Sequence, residues 1–108
     1  LRELETRVEG ALNRKSTVVG DPLAQIHRVA WCTGAAQSFF DLAIEAGVDA
    51  FITGEISEPS AHLARESGVA FVSAGHHATE RYGVQAVGEF LAREIDLQQH
   101  FVDIENPA

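Results

Sequence analysis

The strongest constraint on the fold is the regular alternation of short apolar runs with segments of helical periodicity. Four apolar runs of strand length are separated by helical segments, so each strand reaches the next through a crossover. The sequence therefore predicts an α/β fold with a mainly parallel sheet flanked by helices. The predicted strands are Ile26–Cys32, Ala50–Thr53, Val69–Ser73 and Phe101–Ile104. Thr17–Val19 is ambiguous and could form one more short strand.

Apolar residues at three- and four-residue steps predict the helices between these strands. The last and longest helix carries a single apolar face, and glycine, serine and proline mark the ends of the others. The helices are predicted from Leu1 to Leu12, from a cap at Ser38 to Gly47, from Pro59 (capped by Ser57 or Glu58) to about Ser67, and from the histidine segment described next through Ile95.

The segment Ala74–Arg81 carries the strongest chemical signal. It follows the apolar run Val69–Ser73, and Gly75 marks the turn that leaves that strand. His76 and Glu80 are four residues apart, so on a helix their side chains project from one face. An imidazole nitrogen beside a carboxylate oxygen is a common beginning of a divalent metal site, and the alternative is a solvated pair. Loops beyond the carboxyl ends of strands are also where open α/β sheets bind ligands.

Charge and cysteine content narrow the class of partner and the compartment. The formal net charge of -8 argues against a nucleic-acid binder, which needs a basic face. No apolar run approaches the roughly 20 residues that cross a bilayer, so we expect no membrane partner. Cys32 is the only cysteine and cannot form an intrachain disulfide, which favours a reducing, cytoplasmic location.

Three strand-and-loop segments together resemble one protein family. They are Val29–Gly34, Asp49–Glu55 and Ala74–Arg81. In this order they resemble the C-terminal half of the Ngg-interacting-factor-three-like proteins, and within that family the bacterial YbgI type, the GTP cyclohydrolase I type-two homologues. The resemblance covers nearly all of the chain, from Leu1 to Ala108, and three motifs in the same order make it specific.

The resemblance implies one lobe of a two-lobed protein that holds two divalent metal ions between its lobes, assembles as a homohexameric ring and acts on a small molecule. The family's C-terminal lobe supplies a histidine and a glutamate from a Gly-His-x-x-x-Glu motif, which assigns His76 and Glu80 as metal ligands. The other ligands, a His-His pair and an aspartate, belong to the half that this sequence lacks.

We therefore expect residues 1–108 to be a single C-terminal domain of a longer chain. The sequence starts with Leu1 and contains no methionine, so either an initiator was removed or the chain is a piece of a larger one, and the immediate helical pattern favours the second. Two ligands hold a divalent ion weakly, so we expect little tightly bound metal in this lobe alone. Apolar surface left without the other lobe should make the isolated chain self-associate.

Glu55 and His77 are predicted to act beside the metal pair. Glu55 follows the strand Ala50–Thr53 and could orient a water or a ligand, or instead cap the helix that starts near Pro59. His77 could support the ligands or face the substrate, or be a partly exposed histidine without a role.

Other polar positions favour structural roles. His62 is expected on a helix surface or in packing. The loop Thr33–Gly34 runs into a helix and could receive a phosphate, but tight packing is the favoured interpretation. Trp31 and Cys32 are expected to pack rather than to react. We expect no dinucleotide or other organic cofactor site.

The motifs support two classes of function. The first is a metal-dependent hydrolase that acts on nucleotides or phosphoesters, with GTP cyclohydrolase type-two-like chemistry. No residue identifies guanine, and the lone Cys32 excludes a zinc–thiolate site built from several cysteines. The alternative is a non-enzymatic metal-binding scaffold or partner-binding ring protein.

Overall fold

The computed structural model describes residues 1–108 as one mixed four-stranded sheet with helices on its faces. Three strands, β2, β3 and β4, are parallel, and β1 pairs antiparallel with β4, which gives the order β1-β4-β3-β2. The predicted α/β class is confirmed, and the ambiguous first strand is present. The strands are β1 (Thr17–Val19), β2 (Val29–Trp31), β3 (Ala50–Thr53) and β4 (Ala70–Ser73).

The helices fill the connections that the sequence predicts. A short 3₁₀ turn at Gln37–Phe39 leads into the second helix. None of the helices combines the length and the apolar character needed to cross a membrane. The helices are α1 (Arg2–Leu12), α2 (Phe40–Glu45), α3 (Glu58–Ser67) and α4 (His76–Ile95).

Successive residues of a strand point to opposite faces of the sheet, and a hydrophobic core forms on each face. Phe51 and Phe71 are paired across β3 and β4, so both point to one face, where Phe40 of α2 packs on them. The Phe40 ring meets the Phe71 ring edge-on with centroids 4.8 Å apart. On the other face, Ala50 and Ala70 are small and fully covered, and α1 packs over them.

The predicted strand at Phe101–Ile104 is wrong. After α4 the chain turns back along that helix instead of joining the sheet. Arg81 donates to the Asp103 carboxylate at 2.5 Å, and the backbone N–H of His77 donates to the carbonyl of Ala108 at 3.3 Å. The short apolar run of this segment therefore does not mark a strand of this sheet, whose four strands all lie earlier in the chain.

The strand predicted at Ile26–Cys32 is shorter than expected and begins at Val29. The carboxylate of Asp49 accepts the backbone N–H groups of His27 and Arg28, both at 2.8 Å. These two hydrogen bonds lower the pKa of Asp49 below its ordinary value. The N–H groups of these two residues ahead of β2 are therefore bonded to a side chain, while the Arg28 carbonyl accepts from the backbone N–H groups of Asp49 and Ala50 at the start of β3.

The predicted cap at Ser38 is also wrong, because Ser38 lies inside the 3₁₀ turn and α2 begins at Phe40 without a side-chain cap. Ser57 occupies the cap position of α3, one of the two positions predicted. Its hydroxyl pairs with the Ser60 hydroxyl at 2.8 Å and not with the helix backbone.

We predict that Phe71→Ala lowers the free energy of unfolding by about 3–5 kcal/mol, because Phe71 is fully buried between two other rings. Phe90→Ala removes the same atoms from a ring that is 52% exposed on α4 and should cost far less. Urea denaturation of both variants measures the difference. Similar losses would contradict the assignment of the core.

Candidate metal centre

The candidate site lies where the loops that follow β2, β3 and β4 meet. Strands β2 to β4 are parallel, so their carboxyl ends share one edge of the sheet. The Gly54 N–H donates to the carbonyl of Gly34 at 2.9 Å, and the Gly75 N–H donates to the carbonyl of Gly54 at 3.0 Å. These backbone bonds fix the spacing of the three loops before any functional side chain is considered.

Two glycines make this close approach possible. A Cβ at Gly54 would lie 2.6 Å from both the Gly34 carbonyl oxygen and the Cα of His76. Gly34 has a φ of +70°, and a Cβ there would collide with the Glu80 carboxylate and lie 3.2 Å from Nε2 of His76. The loop after β2 therefore forms a wall of the site at a distance that only glycine allows.

His76 lies between two carboxylates. It is the first residue of α4, and its Nδ1 is 2.6 Å from Oε1 of Glu55, while its Nε2 is 3.0 Å from Oε2 of Glu80. Its side chain is 35% exposed. The structure thus brings together three of the four predicted site residues, with the histidine and Glu80 on one face of the helix.

His77, the fourth predicted site residue, takes no part in this cluster. No hydrogen bond joins its side chain to Glu55, His76 or Glu80, and its Nε2 is buried without a hydrogen-bond partner. Adjacent residues on a helix point apart, which accounts for the separation. A role of His77 toward a substrate stays a prediction.

Glu55 contacts His76 and does not cap α3. The cap position of that helix belongs to Ser57. The second carboxylate oxygen of Glu55 accepts a hydrogen bond of 3.4 Å from the side-chain amide of Gln37. The contact that the structure assigns to Glu55 is therefore with the imidazole of the candidate ligand.

The remaining sequence expectations have mixed outcomes. His62 lies on the surface of α3, 3.8 Å from Glu58. The backbone N–H of Gly34 donates to a threonine hydroxyl, which favours tight packing of its loop over phosphate binding. Cys32 packs against the core, but Trp31 does not pack, because it is 74% exposed at the end of the edge strand β2.

Sequence reasoning missed the part played by Thr79. Its hydroxyl accepts the Gly34 N–H at 3.0 Å and donates within the first turn of α4, to the carbonyl of Gly75 or of His76. The signal was present, since Thr79 stands inside the histidine motif one residue before Glu80. Only the fold shows that it ties the loop after β2 to α4.

The two carboxylates favour the charged imidazole. The hydrogen bond with Glu55 raises the pKa of His76 above its ordinary value of 6.5, partial burial opposes the rise, and the negative charges of Glu80 and Glu55 add to it. Around neutral pH the His76 ring is therefore protonated on both nitrogens in a larger fraction of molecules than a free histidine is.

The donor set suits half of a metal site. Nε2 of His76 and the Glu80 carboxylate are an imidazole nitrogen and a carboxylate oxygen on one face, beside a wall cleared by Gly34. No group of three or more histidine, cysteine, aspartate or glutamate side chains is arranged to hold an ion. These residues therefore fit a divalent ion only as a partial ligand set.

The sequence matches a family model described as Duf34/NIF3 (NGG1p interacting factor 3) over residues 1–107. The chain belongs to the DUF34/NIF3 family. It is 54% identical over 108 residues to a Neisseria meningitidis serogroup B protein named GTP cyclohydrolase 1 type 2 homolog, and 53% identical over 107 residues to the Escherichia coli K12 protein of the same name. The chain spans 43% of the length of each of these relatives.

Solved structures of the family agree with the fold. A structure described as protein ybgI, of unknown function, superposes with a TM-score of 0.93 and 53% identity, covering 98% of this chain and 43% of that one. A Bacillus cereus protein described as related to NIF3 gives a TM-score of 0.83 at 24% identity over all of this chain and 32% of its own, which supports the fold alone. The coverage agrees with one lobe of a two-lobed DUF34/NIF3 protein.

We predict that His76 contributes to stability in acid more than in alkali. Because the pKa of His76 is raised in the folded state, its contribution to the free energy of unfolding is fully present below pH 6.5. That contribution is lost as the pH rises through the pKa of the folded state. The difference in melting temperature between the parent and His76→Gln should narrow from about pH 6 to about pH 9. His62→Gln is the control, and a difference that widens with pH would contradict the sign.

We predict that Gly34→Ala destabilises the lobe by about 1–3 kcal/mol, because alanine is strained at this positive φ and its Cβ displaces Glu80. Gly10→Ala is the matched control with the opposite sign. Gly10 lies inside α1 with no atom within 4 Å of an added Cβ, so alanine should stabilise by about 0.5–1 kcal/mol. Chemical denaturation of both variants tests the pair, and equal effects would refute the steric argument.

Proposed function

We propose that this chain is the C-terminal lobe of a dinuclear metal protein and that His76 and Glu80 are its ligands to a divalent ion. The complete protein is a metal-dependent hydrolase that acts on nucleotides or phosphoesters in the cytoplasm. The observation that carries the proposal is the pairing of His76 Nε2 with the Glu80 carboxylate at 3.0 Å, at the shared carboxyl end of the parallel strands.

The chain's own residues have definite parts in this proposal. When the imidazole is charged, Nε2–H of His76 donates a hydrogen bond to Oε2 of Glu80 at 3.0 Å. A divalent ion would take the place of that proton, and the glycine wall at Gly34 leaves the Glu80 carboxylate free to face it. A pair of divalent ions supplies Lewis acidity and lowers the pKa of water, which is the chemistry of metal-dependent hydrolysis.

The substrate class rests on relatives and not on a contact in this lobe. The Neisseria and Escherichia coli relatives are named GTP cyclohydrolase 1 type 2 homologs, which is what suggests a nucleotide. The formal net charge of -8 disfavours a large polyanion and leaves a small substrate held through metal ions. The homo-oligomeric ring is part of the same proposal and is supported by exposed apolar residues on α4, among them Val84 and Phe90.

Metal analysis of the longer protein that contains this lobe tests the site. Loss of a residue that only hydrogen-bonds to a metal ligand lowers metal affinity by about 10–100-fold. His76→Ala removes a ligand itself and should lower the affinity by more than that. His62→Ala is the matched control, because His62 is exposed and lies 3.8 Å from its nearest carboxylate. Equal losses in the two variants, or no metal in the parent, would show that the site is wrongly assigned.

The partial ligand set favours a second candidate function, a non-enzymatic metal-binding scaffold or partner-binding ring. Only two donors face a common point in this lobe, and no group of three is present. A panel of nucleotides and phosphoesters, assayed with and without divalent ions, separates the candidates. Hydrolysis that His76→Ala abolishes supports the enzyme, whereas metal binding without hydrolysis of any panel member supports the scaffold.

A further inference from the structure

The two nitrogens of the His76 ring have unequal partners. Nδ1 is 2.6 Å from Glu55 in a partly buried contact, whereas Nε2 is 3.0 Å from Glu80 in an exposed one. Glu80 shares a helix turn with the histidine, but Glu55 reaches it from a different element, the loop after β3. The ring is thus held across the sheet edge by its Nδ1 side.

We propose that Glu55 is a positioning residue that keeps the neutral His76 ring protonated at Nδ1 and turned so that the bare Nε2 faces Glu80. This inference rests on the proposed function, because it makes His76 ready to bind a divalent ion through Nε2. A histidine that ligates a metal through one nitrogen ordinarily donates its other N–H to a carboxylate or a carbonyl, which fixes its tautomer and orientation.

The backbone around Glu55 explains how it can hold the ring. Its neighbour Gly54 is bonded on both sides, donating to the Gly34 carbonyl at 2.9 Å and accepting from Gly75 at 3.0 Å. The loop that carries Glu55 is therefore joined to the residue just before His76. The distance between carboxylate and imidazole is set by main-chain hydrogen bonds and not by two flexible side chains alone.

Gln37 holds the other oxygen of the carboxylate. Its side-chain nitrogen donates to Oε2 of Glu55 at 3.4 Å, and its own Oε1 is buried without a hydrogen-bond partner. This arrangement also predicts which substitution will be tolerated. In Glu55→Gln, one amide oxygen can still accept from Nδ1–H, and a rotated Gln37 amide can present its oxygen to the new amide nitrogen.

The position of the proton is a direct test in the metal-free chain. Nitrogen-15 NMR of the imidazole distinguishes the two neutral tautomers at a pH where the ring has lost one proton. We expect the Nδ1–H form in the parent and in Glu55→Gln, and a shift toward Nε2–H in Glu55→Ala. Glu58→Ala, which removes an exposed carboxylate on α3, is the control and should leave the signals of His76 unchanged.

Titration with Zn²⁺ of the longer protein that contains this lobe, followed by the same His76 signals, links the tautomer to binding, because the lobe alone is expected to hold an ion weakly. Glu55→Ala should weaken Zn²⁺ binding by about 10–100-fold, whereas Glu55→Gln should stay much closer to the parent. An unchanged tautomer in Glu55→Ala would overturn the inference. So would a Glu55→Gln variant that keeps the tautomer but loses Zn²⁺ as fully as Glu55→Ala, because Glu55 would then act through its charge or as a ligand. Failure of the proposed function is a separate result, namely a parent that binds no Zn²⁺ at His76.

Discussion

The structure depends on the close approach of three loops at one end of the sheet. The carbonyl of Gly34 accepts a bond from Gly54, and the carbonyl of Gly54 accepts one from Gly75. Parallel pairing brings the loops to the same edge, and these bonds set their separation to a distance at which a Cβ does not fit. His76 follows Gly75 directly, so its position is a product of this backbone contact. The side-chain chemistry of the site is built on main-chain geometry.

Much of the fold could be predicted because its signals are local. Ala50–Thr53 was predicted residue for residue, and β4 differs from its prediction by one residue at its start. The nearness of His76 and Glu80 followed from helical spacing alone. That Glu55 would share their edge followed from the parallel order of the strands. Its direct contact with Nδ1 did not, because a carboxylate at a strand end has several partners within reach.

The failures concern residues whose environment depends on distant parts of the chain. Phe101–Ile104 has the length and apolar content of a short strand, but its contacts with Arg81 hold it against α4 and away from the sheet. Trp31 has a large apolar side chain of the kind that is usually buried, yet it is exposed on the edge strand β2. The apolar character of a side chain indicates that its burial is favourable, but it does not indicate which part of the chain will bury it.

The first turn of α4 has no side-chain cap and is held by its neighbours through the Thr79 hydroxyl. A cation held by His76 and Glu80 would link residues one helical turn apart. It would therefore fix the same backbone dihedral angles that helix nucleation has to fix. Ordering of the turn and uptake of the ion would then be one thermodynamic event. Fraying of the first turn of α4 would then oppose ion binding. The free energy of fraying would set how readily an ion at His76 and Glu80 exchanges with solvent.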